Sequence, residues 1–104
     1  MKVHFVRGVD VHDGKGPQAW EWAIKIANYV NENYPEANIE VLQQVGGEPS
    51  RIVWVGPFES LAVYEAYDEK TIKDEGFQQL VAEAQEQGLF IGSSIRDGLY
   101  RVRS

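Results

Sequence analysis

The succession of hydrophobic periods along this chain is what most constrains its fold. Residues 2–11, KVHFVRGVDV, alternate around β-branched and aromatic side chains, the two-residue period of a strand. A turn cluster follows, HDGKGP, whose Pro17 suits the first turn of a helix. Beyond it Trp20, Ala23, Ile24, Ala27, Val30 and Tyr34 recur at spacings of three and four and make one apolar stripe, with Trp22 two residues off it. Pro35 stops that helix. NIEVLQQV and RIVWVGPF then return to strand character, joined by the turn residues GGEPS. Ser60 reads as the N-cap of an acidic helical region, with Glu59 beside the positive end of the helix dipole. Asp74 reads as a second N-cap after a break near Thr71–Lys73. Phe77, Leu80, Val81 and Ala84 form the next stripe, up to a capping Gly88, and SIRDGLYRVR is the closing strand.

The order β-α-β-β-α-β predicts an α+β fold, a ferredoxin-like sandwich in one domain over residues 1–104. An antiparallel sheet carries its helices on one face, and the second helix is broken near 71–74. Such a sheet has a face with no helix on it. Strand 1 offers Val3, Phe5, Val9 and Val11 on one parity and Val6 on the other; the third strand sets Ile52, Trp54 and Phe58 against Val53 and Val55. Strands apolar on both sides are expected where both faces are buried. The simplest cover for the bare face is a second copy, giving a homodimer packed sheet to sheet.

Charge and composition narrow the functional classes. Between Glu59 and Gly88 eight acidic residues face two lysines, an excess equal to the whole net charge of −6, so the remainder is balanced. That excess reads as a solvated helical face. Basic residues cluster only at Arg96, Arg101 and Arg103, too few for a nucleic-acid surface, so no nucleic-acid partner is expected. The chain has no cysteine, hence no disulfide, thiolate nucleophile or Cys-ligated metal, which fits a cytoplasmic bacterial protein. No apolar run is long enough to span a bilayer, and MKVHFVRGVDV is unlike a signal peptide, so no membrane role is expected.

The stretch WVGPFESLAVYEAYDEKTIKDEGFQQLVAEAQEQGLF, followed by DGLYRV, resembles the dimeric α/β-barrel superfamily. An aromatic and a serine lead into a helix containing a glutamate, and after a short break an aspartate and an aromatic open a second helical segment. The NIPSNAP-like and antibiotic-biosynthesis monooxygenase-like small proteins are similar in this pattern. The resemblance implies a pocket in each subunit between sheet and helices. Some relatives use it for cofactor-free oxidation of aromatic or quinone substrates, others for haem. Haem binders of this kind supply a histidine from the second helical region, and this chain has none after His12, so no haem or other cofactor is expected.

Several residues are candidates for chemistry there. His4, inside the first strand, is a candidate general base or hydrogen-bond donor by residue type; the alternative is a strand histidine satisfied by a neighbour or at the dimer interface. Tyr64 shares a helical face with Leu61 and Glu65 and offers an inward hydroxyl. His4 and Tyr64 are therefore the catalytic candidates. Arg7 is a charge within the first strand, an anion-binding group or half of an ion pair. Trp54 in mid-strand and Trp20 on the helical stripe are candidates to line the pocket, against the alternative that the indoles are core mass. His4 and His12 lack a spaced carboxylate partner, so no metal site is expected. Arg51, Arg96 and Arg101 can pair with the acidic helix of either subunit. Nucleophile-elbow, P-loop and dinucleotide motifs are absent. Two functional classes remain open for a small homodimer with a pocket for a small, aromatic ligand: a non-catalytic binding or assembly module in which these residues only pack, and a cofactor-independent monooxygenase or isomerase acting on a small aromatic or polyketide-like molecule.

Overall fold

The alternation of periods becomes seven elements in the computed structural model, which describes residues 1–47 and 49–104. They are β1 (Val3–Val11), α1 (Gly16–Asn33), β2 (Glu40–Gln43), β3 (Arg51–Phe58), α2 (Leu61–Ile72), α3 (Glu75–Gln87) and β4 (Phe90–Arg101). The strands form one antiparallel sheet in the order β2-β3-β1-β4, so β1 and β3 are central and the closing strand is an edge.

Local chemistry sets the boundaries. Pro17 sits in the first turn of α1. The Ser60 hydroxyl accepts from the Val63 amide at 3.2 Å to open α2, and the Asp74 carboxylate accepts from the Phe77 amide at 3.0 Å to open α3. Gly88 closes α3 in the left-handed conformation with φ of 62°, which a side chain would resist. The expected break in the second helix therefore falls at Lys73–Asp74, between α2 and α3.

Two strands differ from expectation. β2 covers only Glu40–Gln43; its start is set by Asn31 of α1, which takes the backbone of Ile39: its Oδ1 accepts from that amide at 2.6 Å and its Nδ2 donates to that carbonyl at 3.0 Å. β4 begins at Phe90, earlier than SIRDGLYRVR suggests, because the turn at Gly88 delivers a fully buried Leu89 and the strand follows at once. Its ladder is interrupted. Gly8 pairs with Arg96 but Asp10 with Ile91, so the four residues Gly92–Ile95 stand opposite Val9 alone. Ser94 stitches this bulge, accepting from the Asp10 amide at 2.8 Å and donating to the Ile91 carbonyl at 2.5 Å. The GGEPS connection includes Glu48, which lies outside the described residues.

The stripe on α1 is rotated by one position. The buried residues are Ala19, Trp22, Ala23, Ile26, Ala27 and Val30, whereas Ile24 is 50% exposed and Trp20 only partly buried. Ala23, Ala27 and Val30 belong to both possible stripes. Trp22 decides between them, since its N–H donates to the Leu80 carbonyl at 2.7 Å and ties α1 to α3.

The core lies between the helices and one sheet face, with Ile52, Phe58 and Leu89 fully buried. The opposite face presents His4, Val6 and Asp10 of β1 with Val53, Val55 and Pro57 of β3, and carries no helix. Tyr100 and Leu42 extend it, 61% and 43% exposed. The acidic residues Glu59, Glu65, Asp68, Glu69, Glu75 and Glu86 all face solvent. Arg51 and Arg96 do not pair with them. Arg51 donates to Asp10 at 2.9 Å on the outer sheet face, and Arg96 donates to the carbonyls of Ser93 and Ile95.

Candidate functional site

A cavity of about 390 Å³ opens between the core-facing side of the sheet, α1 and α3. Its floor is aromatic. Trp22, Trp54 and Phe90 meet edge to face, with ring centroids 5.4 to 6.1 Å apart. Both indole N–H groups are already used, Trp22 on Leu80 and Trp54 on the Ala23 carbonyl at 3.2 Å. The indoles therefore offer a ligand ring surface and no hydrogen bond.

A second compartment of about 430 Å³ adjoins it between α2 and α3, and Tyr64, Asp68 and Thr71 line it. Phe5, Arg7, Tyr67, Phe77, Val81 and Gln85 border both spaces, so the two lie side by side and share a wall. Aromatic contacts fix that wall: Phe5 stacks on Tyr64 at 5.4 Å and Phe58 packs on Tyr67 at 5.0 Å.

Polar groups gather at the junction. Arg7 donates from Nε and Nη2 to the two oxygens of Asp97, each at 2.8 Å, and its guanidinium carbon lies 5.5 Å from the centre of the Phe5 ring. The hydrogen bond holds Asp97 below the usual carboxylate range and raises Arg7 further. Tyr67 is 8% exposed, and burial pushes its hydroxyl up to about 12, against the opposing charge of Arg7. That hydroxyl has no hydrogen-bond partner among the described residues, and no buried side-chain oxygen or nitrogen among them is left unpaired, so it opens onto the two spaces. Burial raises Tyr64 as well.

The structure brings together some of the residues singled out in the sequence and separates others. Arg7 and Trp54 line the cavity and Tyr64 lines the adjoining compartment. His4 does not join them. Its neighbour Phe5 faces the helices, so His4 projects from the other sheet face, opposite Pro57 and Tyr100. Trp20 borders neither space; the rotated helical stripe puts Trp22 there instead. Tyr67, Gln85 and Phe90 are further lining residues. Tyr67 was within reach of the sequence, being one helical turn beyond Tyr64. Phe90 was hidden because its strand begins directly after the capping glycine.

A separate polar cluster joins the helices. Asp74 accepts from the hydroxyls of Tyr29 at 2.7 Å and Tyr34 at 2.5 Å while capping α3. These bonds hold Asp74 below the usual carboxylate range and push Tyr34 up to about 12. The cluster pins the break between α2 and α3 to the end of α1.

Known structures share this arrangement. An uncharacterised NIPSNAP domain protein from Burkholderia xenovorans superimposes with a TM-score of 0.79 at 14% identity, over 100% of this chain and 96% of that one. A NIPSNAP family protein from Agrobacterium tumefaciens gives 0.78 at 13% identity, over 97% of this chain and 92% of the other. The chain has the ferredoxin-like fold of the NIPSNAP proteins. SnoaB, a cofactor-independent oxygenase from Streptomyces nogalater, shares it with a TM-score of 0.71 at 14% identity, over 99% of this chain and 94% of SnoaB. No protein-family profile and no curated protein sequence matches the chain. The likeness is one of fold. No helix among the described residues is long and apolar enough to cross a membrane.

Proposed function

We propose that this chain is a homodimeric small-molecule-binding protein whose cavity takes a flat, mainly apolar aromatic ligand. The observation that carries this reading is the cavity itself. Its floor is ring surface with both indole N–H groups spent, and its polar groups are confined to one end at Arg7, Tyr67 and Gln85. Its volume of about 390 Å³ lies in the lower part of the roughly 300–1,000 Å³ spanned by small-molecule sites. The outer sheet face supports the dimer, since Val6, Val53, Val55 and Leu42 make an apolar patch with no helix over it.

A second reading, a cofactor-independent oxygenase or isomerase on an aromatic or polyketide-like substrate, draws on the fold shared with SnoaB. Under it Tyr64 and Tyr67 are the hydroxyls beside the substrate, Arg7 and Trp54 bind it, and His4 lies outside the site.

Native mass spectrometry of the purified protein tests both parts. A dimer of about twice 11.8 kDa carrying an aromatic adduct is expected. A monomer at micromolar concentration sinks the assembly. Tryptophan emission indifferent to every aromatic probe sinks the ligand, because Trp22 and Trp54 form the cavity floor.

A further inference from the structure

The alternation of β1 makes one position anomalous. Val3, Phe5, Val9 and Val11 on the core-facing side are apolar, and three of them are buried, yet the residue in the middle of that row is Arg7. The partner strand repeats the anomaly, with Asp97 between Ile95 and Leu99 on the same side. A charge pair here is not required for stability. Both side chains are 44% exposed, and ion pairs of that kind contribute only about 0–1 kcal/mol, so apolar residues would serve the core as well. The placement matches a ligand better, because Arg7 stands where the cavity meets the adjoining compartment, the more polar of the two through Tyr64, Asp68, Thr71 and Gln78.

Asp97 occupies only part of the guanidinium. Five N–H donors are available on an arginine. Nε and one donor of Nη2 go to Asp97, whereas Nη1 has no partner among the described residues. The Nη1–Nη2 side is thus a second planar fork of the shape that receives a carboxylate, held in place by the bond on the Nε side. Among the described residues no lysine and no second arginine lines either space, and Asp68 lines the compartment beside it. With Asp97 paired to it and Asp68 nearby, the guanidinium offers free donors without surplus positive charge, which rules out a phosphate dianion and leaves a monoanion held by the hydrogen bonds of the fork.

We propose that Arg7 is a carboxylate anchor, and that the ligand is a flat aromatic monocarboxylic acid with its rings against Trp22, Trp54 and Phe90 and its carboxylate on the free side of the guanidinium. This rests on the aromatic-ligand reading above and adds the acidic group. Asp97 is a positioning residue that fixes the fork.

Calorimetric titration of the intact protein with naphthoic acid and with naphthamide tests it, since the two probes share ring area and differ in charge. Wild type is expected to bind the acid about tenfold more tightly, the low end for a charge-assisted pair because Arg7 is half-exposed. Arg7→Gln is expected to abolish the preference for the acid over the amide, and retained binding of the amide shows an intact cavity. Equal affinities in wild type overturn the anchor while the aromatic reading stands, and they need no variant to be read. A variant that weakens both probes alike overturns it too. Failure of wild type to bind either probe removes the aromatic reading and the anchor together.

Discussion

The two faces of the sheet meet different fates along β1 and β3: the helix side of β1 carries four apolar side chains, and the outer face carries Val6 of β1 with Val53 and Val55 of β3. On one side Val3, Val9 and Val11 are buried under the helices, with Phe5 against Tyr64 and Arg7 at the cavity. On the other, His4, Val6 and Asp10 lie half-covered beside Val53 and Val55, and Gly8 is roofed by the Arg51 guanidinium. A Cβ at Gly8 would come within 2.9 Å of that group. The helix side is finished within one chain; the outer side is apolar without being closed. The difference teaches that burial in a single chain records only which face the helices chose, and that a second apolar face is information about assembly.

Substitutions on opposite faces of β3 are the sharpest way to break this comparison. Phe58→Ala, at a fully buried position, is expected to lower stability by about 3–5 kcal/mol in urea denaturation. Val53→Ala, half-exposed and next to that row, should lower it by about 1 kcal/mol or less in the monomer. Similar losses for the two, independent of protein concentration, would contradict the contrast. The same position tests the dimer: Val53→Asp should leave the helical circular dichroism intact and give the monomer mass by light scattering.

Titration sharpens the helix side. Tyr34 and Tyr67 sit at about 12 when folded, against about 10 in an unfolded chain. The neutral form is favoured by folding, so their contribution is complete below about pH 10 and is lost as pH rises through about 12. Thermal melts in Tyr67→Phe should lose part of this alkaline slope. Asp74 and Asp97 act at the other end. Their folded values lie below the normal carboxylate value of about 3.9, so their contribution is present above that pH and falls away as pH drops through the folded values. A similarly small effect belongs to the outer ion pair: Arg51→Met, which unpairs Asp10, should change stability by at most about 1 kcal/mol in urea.

Much of the fold was legible because caps and periods act locally. Ser60, Asp74 and Gly88 announce their helix ends through contacts within a few residues, and β3 was bounded at both ends by its alternation. The site was less legible. Trp20 and Trp22 belong to two stripes sharing Ala23, Ala27 and Val30, and only the Leu80 carbonyl, 58 residues away, selects Trp22. His4 looked catalytic by residue type, yet side-chain parity sends it to the face opposite Phe5 and Arg7, and parity was readable from the strand alone. Asp74 read as a cap; its tyrosine partners, 40 and 45 residues away, had no sequence signal.

The bulge in β4 has a consequence for how this fold can vary. Gly92–Ile95 stand opposite one residue of β1, and the paired runs on either side keep their own register. Residues can be added or removed there without sliding the rest of the strand to the wrong face. Because Gly92 and Ile95 border the cavity, such a change alters its volume directly. Cavity size in this architecture can therefore drift through the length of one short segment while the helices, the caps and the outer sheet face stay as they are.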